Sequence, residues 1–152
     1  MLSQSQRDLL EQAVSTYQAA LAHDSEAVAY LQERGISKET AAMYRLGCVR
    51  EPVRGDDEYI NRISIPYITT GGVVDIRYRA IGTDTQPKYL SRAGSILRLF
   101  SVRSLTLDSN VLAVCEGEFD AITLNQAGVP AVGIPGANSW KDHWADLLDD
   151  YR

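Results

Sequence analysis

The sequence predicts an α+β protein with a helical lead-in, an antiparallel β-hairpin and a strand-helix-strand-helix segment. Apolar residues recur at helical spacing before residue 47, whereas residues 62–80 alternate between apolar and polar side chains as β-strands do. Beyond residue 109, short apolar runs alternate with helical patterns, which is typical of parallel α/β structure. We therefore expect three parts, residues 1–50, 51–108 and 109–152.

The helical lead-in contains three predicted helices. The first covers about residues 4–22, and Asp24 or the serine after it can cap a second helix that runs to about residue 34. Ser37 is a good N-cap for a third helix, which Gly47 is expected to stop. The apolar stripe predicted for the first helix comprises Leu9, Leu10, Ala13, Val14, Tyr17 and Leu21. Nothing in these helices indicates catalysis.

Residues 62–80 predict a β-hairpin with a glycine turn at Gly71 and Gly72. Because successive side chains of a strand point to opposite faces, Arg77 and Arg79 share one face. Arg62 joins them if the register of the two strands allows it. This face is either a surface that contacts phosphates or the solvated outside of an antiparallel sheet, and the pattern alone favours neither.

The charge of the chain is unevenly distributed. The formal net charge is −5, which argues against a protein that binds along nucleic acid non-specifically over its whole surface. Residues 62–103 nevertheless contain seven basic and two acidic side chains, so this segment carries +5 and the remainder −10. The basic residues are Arg62, Arg77, Arg79, Lys88, Arg92, Arg98 and Arg103. A basic middle inside an acidic protein predicts a local surface that faces phosphates.

The composition excludes several other classes of protein. No apolar run approaches the roughly 20 residues of a membrane helix, and the N-terminus lacks the apolar core of a signal peptide. Cys48 and Cys115 are far apart and have neither metal-ligand nor redox spacing. With the scattered His23 and His143 they form no zinc site, and we expect Cys115 to be a small core residue.

The most informative segment is a predicted strand, residues 111–115, that ends at Glu116. Its apolar run is typical of a strand buried on both faces in a parallel sheet. Glu116 then lies at the carboxyl end of the strand, where open α/β sheets bind ligands. Asp120 falls in the first turn of the following helix, so the two carboxylates are a candidate divalent-metal site. Glu118 is expected only to be a favourable charge at the helix start.

After this corner, the sequence predicts a second short strand at residues 131–134 and a helix from Trp140 to about residue 150. Trp140 and Trp144 are four residues apart and are expected to form a core stripe, with His143 solvated. Because two parallel strands do not make a stable domain, we expect a further segment to complete this part.

Several motifs in one order resemble the DnaG-type and phage DNA primase catalytic cores of the TOPRIM superfamily. The segment 115–121, CEGEFDA, is similar to the first TOPRIM motif, and GIPGAN at 133–138 to the second TOPRIM strand. Upstream, NRISIP at 61–66 and QPKYLS at 86–91 are similar to two primase segments. The segment YLQERGIS at 30–37 is similar to the helical start of such cores.

The resemblance implies the activity and the roles of particular residues. It implies a DNA primase, an enzyme that makes short RNA primers on a single-stranded DNA template from NTPs, with Mg²⁺ or Mn²⁺. Glu116 is then the general base and a metal-associated carboxylate, and Asp120 is its partner. The residues implied to contact template or nucleotide are Arg62, Arg77, Arg79, Lys88 and Arg103, with Arg98 as the alternative to Arg103.

The sequence departs from the primase pattern in two ways. It lacks the zinc-binding domain that precedes many primase cores, and it lacks the second TOPRIM motif, an Asp-x-Asp after the third strand. The adjacent Asp149 and Asp150 do not replace it. We therefore expect an N-terminal part of a primase core with a partial metal site, completed by a downstream segment or a second polypeptide. A replicative helicase is a further candidate partner, and the expected location is the cytoplasm, of a bacterial host if the protein is phage-encoded.

Two other functions remain open at this stage. One is a non-catalytic nucleic-acid-binding or assembly module of a phage replication complex, which holds template while another protein performs the chemistry. The other is half of a TOPRIM nuclease or topoisomerase, which the primase-like upstream segments disfavour. Tyr89 is a candidate for stacking on bases, whereas Tyr78 is expected in the core.

Overall fold

The computed structural model describes residues 2–136 and 138–151, so Ala137 of the GIPGAN segment lies outside the described residues. The chain divides into two compact units, residues 1–95 and 96–152. The sequence-based division into three parts remains a prediction. No helix in the described ranges is long and apolar enough to span a membrane.

Three helices begin the first unit: α1 (Gln4–Leu21), α2 (Ser25–Glu33) and α3 (Lys38–Met43). Each has a side-chain N-cap, which satisfies backbone N–H groups that the first turn leaves free. The caps are Ser3, Asp24 and Ser37, and Ser3 forms a capping box with Gln6. The predicted starts of the second and third helices are therefore confirmed.

A four-stranded antiparallel sheet completes the first unit. Its strands, in spatial order, are β1 (Gly47–Cys48), β2 (Arg62–Thr69), β3 (Gly72–Ala80) and β4 (Tyr89–Ser91). Strands β2 and β3 form the predicted hairpin around Thr70 and Gly71. Strand β4 was not predicted, since three residues are too few to establish an alternating pattern.

The register of the hairpin separates its arginines. Arg79 is opposite Ile63 and Arg62 is opposite Ala80. Because directly opposed residues share a face, Arg77 and Arg79 lie together on the face of Ile63, and Arg62 lies on the other face. The condition under which Arg62 would join the other two is therefore not met.

Helix α1 packs on one face of this sheet. The cluster of buried residues between them comprises Leu10, Ala13, Val14, Tyr17, Val49, Tyr59, Val73, Ile76 and Tyr78. Tyr59 and Tyr78 stack with ring centroids 3.9 Å apart, and Tyr17 meets Tyr78 edge to face. Contacts between aromatic rings stabilise a core beyond their buried area.

Two expectations for the helical lead-in are wrong. Leu9 is 60% exposed and takes no part in the stripe, because it lies at the solvent side of α1. Gly47 does not stop α3, which ends at Met43, but lies in β1. A Cβ on Gly47 would stand 2.4 Å from the backbone carbon of Tyr17, so glycine is needed there for the close approach of α1.

The second unit contains β5 (Ala113–Cys115), α4 (Glu118–Gln126) and β6 (Ala131–Gly133). Strands β5 and β6 are parallel, and Phe100 adds an antiparallel bridge to Gly133. Gly128 follows α4 with φ +85°, the left-handed conformation expected at a helix end. Mixed α and β structure, with an antiparallel sheet and a small parallel one, confirms the predicted fold class.

The first strand of this unit differs from its prediction. It begins at Ala113 rather than Val111, and it is not buried on both faces, since Val111 is 46% and Val114 is 44% exposed. Among the described residues β5 pairs with β6 alone, so its second edge and the face of Val114 have no cover.

The predicted α-helix from Trp140 is also wrong. Residues Asp142–Leu147 form a 3₁₀ helix instead. Trp140 precedes this helix, so the two tryptophans do not lie on one helix and do not form the expected stripe. Trp144 is buried, whereas Trp140 is 38% exposed and meets it edge to face at 5.8 Å. His143 is exposed, as expected.

Candidate functional site

Glu116 and Asp120 lie at a sharp corner between β5 and α4. Glu116 follows the last residue of the strand, and Gly117 is the extended N-cap residue of the helix. A Cβ built on Gly117 would stand 3.6 Å from Oδ2 of Asp120, which places this carboxylate over the turn. Both carboxylates are exposed. The structure thus brings the two predicted residues to one accessible corner.

The thiol of Cys115 directly precedes this corner in the chain. Burial, and then the charge of Asp120, raise the pKa of the Cys115 thiol. A thiol with a raised pKa stays protonated near neutral pH and is a poor metal ligand and nucleophile. Cys115 is only half-buried, so the expectation of a core residue is not met, and the candidate ligands of the corner are oxygen atoms.

A divalent metal fits this donor set only in part. Hard cations such as Mg²⁺ prefer carboxylate oxygens, and Glu116 and Asp120 supply two of them. Over residues 2–136 and 138–151, no three His, Cys, Asp or Glu side chains come together as a metal site. Glu118 does not add a third ligand at the surface, because it is 1% exposed. It lies in the first turn of α4, as expected for a favourable charge at a helix start, although it is buried.

Two of the five predicted basic contacts are buried in the first unit. Arg62 is 3% exposed and donates from Nη1 to the carbonyl oxygen of Pro87 at 2.7 Å. Burial lowers its pKa. Arg79 is 4% exposed, and its guanidinium donates to the phenol oxygens of Tyr30, at 2.5 Å, and of Tyr89. These two cations stabilise the loop before β4 and the packing of α2.

The other predicted basic contacts are more accessible. Arg77 is half-buried, and its guanidinium lies 4.7 Å from the ring centre of Tyr89, within the range of a cation–π contact. Lys88 is exposed beside it in sequence. In the second unit, Arg103 is exposed in a 3₁₀ helix and Arg98 is half-buried. Tyr78 is fully buried, as expected for core packing.

Sequence reasoning missed Tyr30. Its phenol oxygen accepts the hydrogen bond from Nε of Arg79, although the two residues are 49 positions apart. The tyrosine lies at an ordinary position of an amphipathic helix, so no periodic pattern marks it. The surrounding segment YLQERGIS is marked only by its resemblance to primase cores.

The fold and the corner define a mixed α and β protein with two carboxylates at the carboxyl end of a parallel strand. A scan against protein-family models finds none that matches the chain. The gene 57 protein of Mycobacterium phage D29 is 40% identical over 99 residues, covering 62% of the chain and 64% of the phage protein. A DNA primase of Listeria monocytogenes is 28% identical over 155 residues, covering 94% of the chain and 25% of the primase.

Solved structures of primases share the fold. The E. coli primase catalytic core matches with a TM-score of 0.76 at 24% identity, over 95% of the chain and 59% of the core. An Aquifex aeolicus primase with zinc-binding and RNA polymerase domains matches with a TM-score of 0.77 at 23% identity, over 99% and 47%. A DnaG catalytic domain bound to single-stranded DNA matches with a TM-score of 0.72 at 22% identity, over 95% and 60%.

The chain therefore has the fold of DnaG-type primase catalytic cores, which confirms the resemblance found in the sequence. Its sequence is similar to those of DNA primases and of a phage gene product. The chain spans less than two thirds of the length of each of these relatives and structures.

Proposed function

We propose that the chain is the N-terminal part of a DNA primase catalytic core and takes part in RNA primer synthesis on single-stranded DNA. The observation that carries this proposal is the corner of Glu116 and Asp120 on a DnaG-type fold. In primer synthesis a 3′-hydroxyl attacks an α-phosphate and pyrophosphate leaves. Carboxylates at the carboxyl end of a strand suit this chemistry, because they can accept a proton and would hold the divalent cations that neutralise phosphate charge.

Glu116 has two roles in the proposal. Its carboxylate accepts the proton of the attacking 3′-hydroxyl, and with Asp120 it would hold one edge of a Mg²⁺ or Mn²⁺ ion. That ion would neutralise negative charge on the phosphates and lower the pKa of the hydroxyl. Both side chains are exposed and can reach a substrate without rearrangement of β5 or α4.

We infer that the remaining carboxylates come from a further segment or a second polypeptide. The open edge of β5 supports this inference. Ala113 donates to Pro130, and Ile134 donates to the carbonyl of Cys115, so the backbone groups of residues 113 and 115 point to β6. Parallel alternation then turns the N–H and C=O of Val114 to the opposite edge, where another strand can pair.

Complementation tests the proposed activity. The chain is mixed with a polypeptide that supplies the Asp-x-Asp strand, and labelled primer synthesis on single-stranded DNA is measured with Mg²⁺ and NTPs. We expect Glu116→Gln to lower the rate by about 100-fold or more, as for loss of a general base. Asp108→Asn, at an exposed carboxylate of the same unit, is the control and should retain the rate. Full activity of Glu116→Gln would disprove the role of Glu116.

A second candidate function is a non-catalytic module that holds template. It is favoured because no three metal-ligating side chains come together in the described ranges. This alternative predicts that single-stranded DNA binds in a salt-dependent manner that Mg²⁺ does not alter, and that no complementing polypeptide produces primers. The same mixture and the same binding assay therefore separate the two functions.

A further inference from the structure

The first unit contains a buried carboxylate that the proposed reaction does not use. Asp56 is 1% exposed, and its Oδ2 accepts hydrogen bonds from the phenols of Tyr17, at 2.6 Å, and Tyr78, at 3.1 Å. Burial raises the pKa of both phenols, so both are protonated donors near neutral pH. A buried charge of this kind is stable only when charged or polar partners surround it.

The charged partner of Asp56 is Arg92, the residue immediately after β4. Nη1 of Arg92 lies 3.2 Å from Oδ2, and Nη2 lies 3.1 Å from Oδ1. The contact at Oδ2 is a hydrogen bond, whereas Oδ1 lies only in ion-pair contact with Nη2 and has no hydrogen-bond partner among the described residues. Because Asp56 is buried, the pair is less screened by solvent than a surface ion pair.

A second buried carboxylate holds the other end of the same segment. Asp75 is 9% exposed, and its Oδ1 accepts hydrogen bonds from Ser95 Oγ and from the backbone N–H of Ile76, both at 2.8 Å. Between them, Ser95 N–H donates to the carbonyl of Arg92 at 3.0 Å. We call residues 92–95 the exit segment, since the first unit ends at Ser95.

We propose that Arg92 and Ser95 are positioning residues, which fix the direction in which the chain continues after β4. The exit segment has no strand partner, so without its side-chain bonds it would behave as an ordinary exposed connection. The buried carboxylates of Asp56 and Asp75 instead hold the exit segment to the core of the first unit. Gly94 supplies the left-handed turn between them, with φ +78°.

The consequence for catalysis rests on the proposed function. Glu116 and Asp120 belong to the unit that begins directly after Ser95. We expect a loosened exit segment to lower the rate of primer synthesis without removing any group that touches template or nucleotide, because the segment leads directly into the part of the chain that carries both carboxylates. Arg92 acts through the course of the chain and not as a catalytic residue.

Amide hydrogen exchange of the full chain tests the positioning role directly. We expect Arg92→Met to speed exchange at residues 92–97 by about ten-fold or more, and Ser95→Ala to do so less strongly, as expected for the loss of buried hydrogen bonds. Arg92→Lys should restore part of the protection. Tyr17→Phe is the control, since it removes a donor from the same carboxylate but leaves Arg92 in place. It should leave exchange of the exit segment within about two-fold of the wild type.

The exchange result decides the positioning role whether or not primers are made. If Ser95→Ala and Arg92→Met both leave exchange at residues 92–97 unchanged, or if Tyr17→Phe speeds it equally, the positioning role is wrong. In the complemented primase we further expect Arg92→Met to lower kcat by about ten-fold at unchanged affinity for single-stranded DNA. A parallel loss of affinity would show general destabilisation and overturn the catalytic consequence. Absence of wild-type synthesis would instead contradict the proposed function alone.

Discussion

The carbonyl oxygen of Gly117 lies so close to Gly133 that a Cβ on Gly133 would stand 2.8 Å from it. Gly117 is the turn of the carboxylate corner, and Gly133 is the last residue of β6. The same Cβ would stand 3.3 Å from the Cβ of Phe100. The position of the turn that carries Glu116 and Asp120 therefore depends on the missing side chain of a residue on the neighbouring strand.

Gly133→Ala should displace this corner. The added methyl group meets backbone on one side, so the turn at Gly117 must move or the second unit loses stability by about 1–3 kcal/mol. We expect primer synthesis by the complemented protein to fall more than its affinity for single-stranded DNA. Denaturant unfolding and the primer assay measure the two effects. Gly71→Ala is the control, because its Cβ would meet only side-chain atoms at 3.4 Å or more; equal effects of both variants would contradict this explanation.

Gly47→Ala should be more disruptive than Gly133→Ala. The Cβ would stand within 2.4–2.7 Å of backbone atoms of Tyr17 and Gln18, none of which can rotate away. Helix α1 would have to leave the sheet locally, and we expect a loss of about 3 kcal/mol or more in the free energy of unfolding, at the upper end for overpacked sites. Denaturant unfolding followed by circular dichroism measures it. A loss below about 1 kcal/mol would mean that α1 adjusts without strain.

The contrast between these two glycines shows what the sequence could and could not predict. Helix starts and the hairpin follow from local rules, since Ser37 caps its own helix and the hairpin alternates along its own strands. Close approach between distant segments leaves no such local pattern. Gly47 follows a helical pattern in the sequence and so looks like the stop of that helix. Only the packing shows that it lies in β1 against Tyr17 of α1, 30 residues earlier in the chain.

Burial of the arginines was unpredictable for the same reason. Charge and alternation placed Arg77 and Arg79 on one face, which is correct, but gave no measure of what covers that face. Arg79 is covered because Tyr30 and Tyr89 accept its hydrogen bonds. Likewise, the carboxylate corner was predictable from a strand followed by Glu116, whereas the exposed edge of β5 depends on how many strands pair with it.

The stability of the first unit should depend on pH through Asp24. The hydrogen bond from Arg50 lowers the pKa of this carboxyl to about 2, from an ordinary value of 3.8. A carboxyl group whose pKa is lower in the folded than in the unfolded state stabilises the fold at pH values above its unfolded-state pKa. The contribution of Asp24 is therefore present above pH 4 and is lost as pH falls towards 2. It amounts to about 2 kcal/mol at neutral pH, and urea unfolding between pH 2 and 7 measures it.

Asp24→Asn isolates this effect. Asparagine is as good an N-cap as aspartate, so α2 retains its cap while the charge that faces Arg50 is lost. We expect the stability difference from the wild type to vanish near pH 2. Glu26→Gln is the matched control, since Glu26 pairs with the same arginine from a position that is 69% exposed and should change stability by less than about 0.5 kcal/mol. An equal loss in both variants would assign the effect to α2 as a whole.

Arg79 and Lys88, which both lie near β4, should separate into a structural and a binding role. Lys88 is exposed, so Lys88→Ala should weaken binding of single-stranded DNA and reduce the salt slope by about 0.7, without loss of stability. Arg79 is itself buried, and Arg79→Met removes its two hydrogen bonds to the half-buried phenols of Tyr30 and Tyr89, so it should lower the free energy of unfolding by about 2 kcal/mol or more. Fluorescence anisotropy from 50 to 300 mM salt and denaturant unfolding measure the two properties. A stable Arg79→Met variant that loses binding would place Arg79 at the nucleic acid instead.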